Sequence, residues 1–279
     1  AASDSFTNEN NQNMVAWCWK AGGSGSQSFY KDDVGYASAA AAGLDGGLTV
    51  TGASVGTKQG FSIIKATGSN SQNSFKHGLG KVPKFVIAKD IDNSRDWYIY
   101  HGSMGANYRA SFNTTKFTSD SGYFGSGMTD TLVTLKSGGG GGNNYAGANM
   151  IYYVWADIPG LQKFGSYESS SNGPFVELGF KPAILVIKAA DVDQSNGQWN
   201  VVDTTRDTYN EMFNNLAWDR TNNEPAVGAG SYGIDIVSNG FKIPSGNTGE
   251  AINAGSTYIY MAWAEAPSFN LYGAQSNAR

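Results

Sequence analysis

Few side chains in this sequence are suited to acid, base or nucleophilic chemistry. The 279-residue chain has two histidines and one cysteine, and Cys-His catalysis would require Cys18 to lie beside His77 or His101. His77 precedes a Gly-Leu-Gly turn and His101 follows a strand, so each imidazole is expected to hydrogen-bond nearby backbone. Cys18 stands between two tryptophans, which favours a small buried hydrophobic residue. We therefore predict that the protein is not an enzyme.

One acidic hairpin has oxygen-bearing residues at the spacing of a calcium loop. Asp191, Asp193 and Ser195 alternate ahead of a glycine, and residues 90–96 take the equivalent place upstream. Calcium needs about six to eight oxygen ligands, yet position 12 of the hairpin is Val202 rather than an acid. Turn-forming Asp, Asn and Ser explain both hairpins without a metal. The sequence thus predicts no cofactor, with calcium at Asp191, Asp193 and Ser195 as a speculative exception.

Glycoside hydrolysis would need a pair of carboxylates, and nothing in the sequence selects two. Asp157 and Glu265 stand at matched positions of an internal repeat, which favours a structural role at a strand end. The remaining candidates are Glu168, Glu177, Asp203, Asp207 and Glu211.

Aromatic side chains are abundant, with 7 Trp, 15 Tyr and 14 Phe. An aromatic ring offers a flat apolar face, and Tyr and Trp add a polar tip, which suits stacking against a sugar. Most of these rings, including Trp17, Trp19, Trp155 and Trp263, we assign to cores. Some rings stand at strand ends or in loops and do not follow the spacing of buried residues. These are the predicted ligand contacts: Tyr108, Tyr123, Phe124, Trp218 and Tyr232.

Composition restricts the elements that could position these residues. The chain has 37 glycines and only 15% charged residues, and each glycine inside a helix costs roughly 1 kcal/mol relative to alanine. A net charge of −4 lacks the clustered Lys and Arg that phosphate backbones require. No apolar run reaches the roughly 18 residues of a membrane span. We expect a β-rich fold that neither binds nucleic acid nor inserts into a membrane.

Internal repeats organise the chain. The strand pattern that begins at Pro83 and reaches Lys89 six residues later recurs from Pro182 to Lys188, and a tryptophan opens the next strand in both copies. A second motif, an aromatic strand ending in tryptophan, occurs three times, in residues 14–19, 150–155 and 258–263. The chain therefore contains the last strand of one repeat followed by two complete repeats.

This pattern predicts an all-β fold with two tandem antiparallel β-sandwich repeats, jelly-roll or immunoglobulin-like. The predicted boundaries are 1–60 for an N-terminal strand and a Gly/Ser/Ala-rich arm, 61–163 for the first repeat and 164–279 for the second. An unpaired strand invites pairing, so residues 13–19 are expected to complete a sheet in their own chain or in a neighbour.

The order of motifs resembles that of phage virion structural proteins, in particular tail-fibre and appendage proteins of marine and cyanobacterial phages. The motifs that carry this resemblance begin at Val15, Gly60, His77, Lys163, Gly173, Arg206, Ser238 and Thr257. They cover nearly the whole chain from about residue 13 and specify no catalytic residue.

The resemblance implies a virion protein that acts by contact. The first expectation is a homo-oligomeric tail-fibre or receptor-binding component that presents aromatic and Asn/Ser-rich loops to a host cell-surface glycan and binds other virion proteins. A capsid decoration or cement protein is the alternative, and a surface-polysaccharide hydrolase is the third. The implied location is the particle surface or tail.

Overall fold

Strands form wherever aromatic and β-branched residues run between the glycine-rich turns. The computed structural model describes residues 14–106, 108–112, 118–119, 123–136, 142–190, 198–219, 233–245 and 255–267. All named elements in these ranges are β-strands, which confirms the all-β prediction. None of the described residues belongs to a helix that could cross a bilayer.

The described strands, in chain order, are β1 (Phe29–Lys31), β2 (Val34–Tyr36), β3 (Thr49–Gly56), β4 (Phe61–Thr67), β5 (Asn73–Lys76), β6 (Pro83–Asp90), β7 (Tyr98–His101), β8 (Tyr108–Ser111), β9 (Thr118–Ser119), β10 (Leu132–Leu135), β11 (Asn149–Ala156), β12 (Gln162–Glu168), β13 (Phe175–Glu177), β14 (Pro182–Ala189), β15 (Asn200–Asp203), β16 (Leu216–Ala217), β17 (Asp235–Val237), β18 (Gly240–Lys242) and β19 (Thr257–Ala264).

The two repeats build matching sheets. The sheet of the first repeat also includes three strands from residues 29–56: nine strands pair in the order β2-β1-β3-β4-β11-β6-β7-β8-β9, and β5 pairs with β10 as a separate ribbon. In the second, five strands pair as β12-β19-β14-β15-β16, beside a ribbon of β13-β18-β17. All these pairings are antiparallel except that of β1 with β3. Pro83 and Pro182 begin β6 and β14 as predicted, and each sheet has a register shift at this end of the strand.

Side chains on successive residues of a strand point to opposite faces, and here both faces are covered. Along β6, Phe85 and Ile87 face the second repeat, whereas Val86 and Ala88 face the β5-β10 ribbon. The equivalent alternation occurs on β14 and β19. The result is four layers, with the nine-stranded and five-stranded sheets stacked face to face and one ribbon outside each. We call the apolar cluster between the two large sheets the central core.

The segment predicted as an arm, residues 21–60, is instead part of the first sheet. It contains β1, β2 and β3, and its Leu44 and Leu48 are buried in the core under that sheet. Several of its glycines pack closely against other backbone: a Cβ on Gly22 would lie 1.8 Å from the carbonyl oxygen of Val55. Glycine content therefore misled the prediction, because glycine here allows close backbone contacts and turns with positive φ within an ordered segment.

The prediction of a lone strand at residues 13–19 is also wrong within this chain. Residue 13 lies outside the described residues, and residues 14–20 form no strand. The segment is held instead by its side chains, with Trp17 Nε1 donating a hydrogen bond to the Asp203 carboxylate at 3.2 Å. Trp17 and Trp19 both pack against the central core.

Candidate functional site

Both histidines are buried and engaged with backbone groups. The Leu79 N–H donates to His77 Nδ1 at 3.2 Å, and His77 Nε2 lies 3.2 Å from the Thr129 carbonyl oxygen. This pattern fits a neutral ring with its proton on Nε2, and burial lowers the pKa of His77. The predicted turn-bonding role of His77 is confirmed.

His101 links the two repeats. Its Nε2 lies 3.2 Å from the Tyr260 carbonyl oxygen in the opposite sheet, and its Nδ1 accepts a hydrogen bond from the Ser103 N–H at 3.3 Å. Burial lowers the pKa of His101 to about 4, so the ring is neutral near pH 7. Cys18 is exposed, and the expectation that it is a buried hydrophobic residue is wrong.

Asp157 and Glu265, the candidate carboxylates at the two matched strand ends, each bind another group of the protein. Asp157 accepts a hydrogen bond from the Phe164 N–H at 2.9 Å, and burial raises its pKa in spite of that bond. Glu265 pairs with Lys181 at 2.7 Å on the surface. These contacts agree with the structural role that the matched positions indicate.

The predicted calcium residues Asp191, Asp193 and Ser195 lie outside the described residues. In the equivalent loop of the first repeat, the carboxylate oxygens of Asp90 accept hydrogen bonds from N–H donors. Asp90 accepts hydrogen bonds from the backbone of Asp92 and Asn93 and from Arg95 Nε. Burial alone would raise the pKa of Asp90, but these hydrogen bonds and the Arg95 charge bring it below its usual value. Among the described residues, no group of three His, Cys, Asp or Glu is placed to hold a metal ion.

Replacing Asp90 with alanine is expected to lower the free energy of unfolding by about 2–3 kcal/mol, because four donors lose a charged acceptor. Denaturant unfolding measures this change. Ser94→Ala in the same loop is the control and should change stability by less than about 0.5 kcal/mol, as exposed substitutions generally do. Equal losses of stability in both variants would show that the hydrogen bonds of Asp90 are not the cause of the change.

The predicted contact aromatics occupy different environments. Phe124 is 1% exposed and belongs to the core under the nine-stranded sheet, so its assignment to a contact surface is wrong. Tyr123 packs against Tyr98, with ring centroids 4.3 Å apart. Tyr108 and Trp218 are partly buried against the central core. Tyr232 lies outside the described residues. The structure does not bring this set together.

A different aromatic surface is exposed at one end of the nine-stranded sheet. It is formed by residues 68–73, 91–97 and 143–148, which we call the loop surface. Trp97 and Tyr145 are 42% and 40% exposed there. The Arg95 guanidinium carbon lies 3.9 Å from the centre of the Tyr145 ring, and Lys89 Nζ lies 6.0 Å from the centre of Trp97. Exposed aromatic rings and partly buried cations thus lie side by side.

Hydrogen bonds hold the three loops together. Asn144 accepts a hydrogen bond from the Ser69 N–H at 2.8 Å and donates to the Ser71 carbonyl at 2.8 Å. The Asn149 N–H donates to the Asp92 carboxylate at 2.7 Å. The Asn- and Ser-rich composition of these loops is the signal in the sequence that could have selected Trp97 and Tyr145.

A second feature is an aromatic cavity of about 220 Å³ at the edge of the central core. Its lining residues come from the N-terminal segment and from both repeats, and they are Trp17, Trp19, Phe85, Ile87, Phe112, Trp155, Trp218 and Trp263. Of the four sequence-predicted contacts that the structure describes, Trp218 is the one that lines it.

The tryptophans of the three motif copies meet at this cavity. Ring centroids of Trp19 lie 6.2 Å from Trp155 and 5.0 Å from Trp263, and those two rings are 6.4 Å apart. The rings meet edge-on, a geometry in which a positive ring edge faces a negative ring face. The Nε1–H groups of Trp155 and Trp263 have no hydrogen-bond acceptor in the described part of the chain, and N–H···π contact is the interaction left to them.

Comparison with known proteins identifies the family. A family model described as "Domain of unknown function (DUF7483)" matches residues 1–267. The chain belongs to this family. One DUF7483 domain therefore spans all three tryptophan motifs and both sheets. Comparisons with curated proteins and with solved structures found no match.

Proposed function

We propose that this DUF7483 protein is a structural protein of a bacteriophage virion and acts as a tail-fibre or receptor-binding component. The observation that carries the proposal is the loop surface, where exposed Trp97 and Tyr145 lie on Asn/Ser-rich loops. The motif order described above supplies the link to virion proteins.

The loop surface has the properties of a glycan-contact site. Trp97 offers a flat ring against which the apolar face of a sugar can stack, and the neighbouring Asn and Ser side chains offer hydrogen bonds to hydroxyl groups. The hydrogen bonds of Asn144 and Asp92 hold these loops in place before binding, which lowers the entropy lost on binding.

The described ionisable side chains support contact rather than catalysis. His77, His101, Asp90 and Asp157 each bind backbone groups that fix turns or join sheets.

Trp97→Ala is expected to weaken binding of the full chain to its glycan by about tenfold, because stacking on an exposed ring contributes on the order of 1 kcal/mol or more. A glycan array identifies the ligand, and titration calorimetry measures the loss. Tyr209→Ala is the matched control, since Tyr209 is 82% exposed and lies outside the loop surface. Unchanged affinity in Trp97→Ala, or equal losses in both variants, would reject the loop surface as the contact site.

The virion assignment is tested by locating the chain in purified phage particles by mass spectrometry and electron microscopy. A few copies in threefold or sixfold groups on the tail are expected. Tens or hundreds of copies on the capsid would favour a decoration protein instead, and absence from particles would overturn the proposal.

A further inference from the structure

The described side chains that line the aromatic cavity present no polar surface to a ligand. All eight lining side chains are aromatic or aliphatic, and the surface they expose in the cavity is apolar. A sugar, a carboxylate or a primary amine placed there would lose its hydrogen bonds to water without replacement, which costs free energy. The ligand classes that remain are apolar groups and cations that carry no N–H donor.

The lining residues favour a cation. Seven of the eight are aromatic, and Ile87 is the one aliphatic member, whereas aliphatic side chains would serve a hydrocarbon ligand equally well. Neighbouring rings stand at steep angles, 60° for Trp17 against Trp218, 80° for Trp19 against Trp155 and 83° for Phe112 against Trp218. Rings in such an arrangement form the walls of a box, as in sites where ring faces stabilise quaternary ammonium groups.

The charges around the cavity are compatible with a bound cation. Trp17 donates its Nε1–H to the Asp203 carboxylate at 3.2 Å, which increases the electron density of the ring. Asp203 also pairs with Arg206, which offsets the charge of that guanidinium. The Arg206 guanidinium carbon lies 5.9 Å from the centre of the Trp17 ring, so a ring of this cavity already takes part in a cation–π contact.

We propose that the aromatic cavity binds a small quaternary ammonium compound, with a trimethylammonium head enclosed by the tryptophan rings. A quaternary nitrogen has no N–H to satisfy, so it matches a lining without acceptors, and its charge is stabilised by the ring faces. Three parts of the chain form the walls of this site. The N-terminal segment contributes Trp17 and Trp19, the first repeat contributes Trp155, and the second contributes Trp218 and Trp263.

Choline and its neutral isostere 3,3-dimethylbutan-1-ol distinguish a cation site from an apolar one. The full chain is titrated with each compound while tryptophan fluorescence and binding heat are followed, with sodium chloride as the ionic control. Choline is expected to saturate the signal with about tenfold higher affinity than the isostere. Equal affinities would reassign the cavity to neutral apolar ligands, and no saturable choline signal would overturn the proposal.

Substitutions assign the binding to this cavity. Trp218→Leu should weaken choline binding about tenfold or more, since a ring wall is lost while apolar volume is kept. Trp97→Leu, on the loop surface, should leave it unchanged, and wild-type affinity in Trp218→Leu would reject the cavity as the site. If Trp218→Leu does not fold, Trp17→Leu is the second variant, and the comparison of choline with its isostere on the wild-type chain remains decisive. The glycan proposal and the choline proposal can be rejected independently of each other, because glycan binding depends on Trp97 and choline binding on Trp218.

Discussion

Replacing Trp155 with alanine is expected to lower the free energy of unfolding by about 3–5 kcal/mol, as loss of a buried aromatic side chain does. The Trp155 ring stacks on Phe61 at 4.5 Å and contacts Phe85 at 5.4 Å between ring centroids. Its removal would enlarge the adjoining cavity of about 220 Å³, and packed neighbours would collapse only partly into the space. Denaturant unfolding followed by circular dichroism measures the loss.

Trp97→Ala is the matched control for this experiment. The same side chain is removed from an exposed position, so the stability change should stay below about 1 kcal/mol. Trp155→Phe should give an intermediate loss and covers the case in which the alanine variant does not fold. Similar small losses at Trp155 and Trp97 would contradict the assignment of Trp155 to the core that joins the two sheets.

Acidification is expected to destabilise the protein between about pH 6.5 and pH 4 through His101. Burial lowers the pKa of His101 in the folded state from 6.5 to about 4, so within this window the unfolded chain binds the proton more readily than the folded chain. The contribution to stability is therefore complete above about pH 6.5 and is lost as the pH falls towards 4. Over the whole window the loss amounts to about 3 kcal/mol, and His77 adds a loss in the same direction.

Urea unfolding at about pH 7 and about pH 4.5 tests this dependence. In His101→Gln the amide keeps a donor for the Tyr260 carbonyl but does not titrate. This variant should be less stable at neutral pH and should lose less stability on acidification than the wild type. An unchanged pH dependence in His101→Gln would show that another group is responsible.

Because His101 bonds from one large sheet to the other, its protonation acts on the contact between the repeats. A charged imidazole at a buried interface must be hydrated or paired, and opening the interface is the direct way to hydrate it. The central core and the His101 link thus make the two repeats one structural unit.

Sequence alone was sufficient where the pattern is local. Pro83 and Pro182, each six residues ahead of a lysine, identified the repeats and the central strands, because side-chain alternation and turn residues are determined by near neighbours. The same reasoning placed Trp155 and Trp263 in a core, which the structure confirms. It erred at Phe124 because this ring is covered by side chains of other strands, such as Tyr100 of β7 at 5.8 Å between ring centroids, and local sequence does not specify such partners.

The amino-acid sequence alone determined an all-β fold, its internal repeats and a low content of histidine and cysteine. Tertiary structure alone decided how the repeats stack, where Trp17 and Trp19 insert, and that the tryptophans of three motif copies meet around one cavity. It also brought His101 to the Tyr260 carbonyl, 159 residues away. The physical reason is that local periodicity specifies which face of a strand is apolar, whereas the partner of that face depends on packing between segments far apart in the chain.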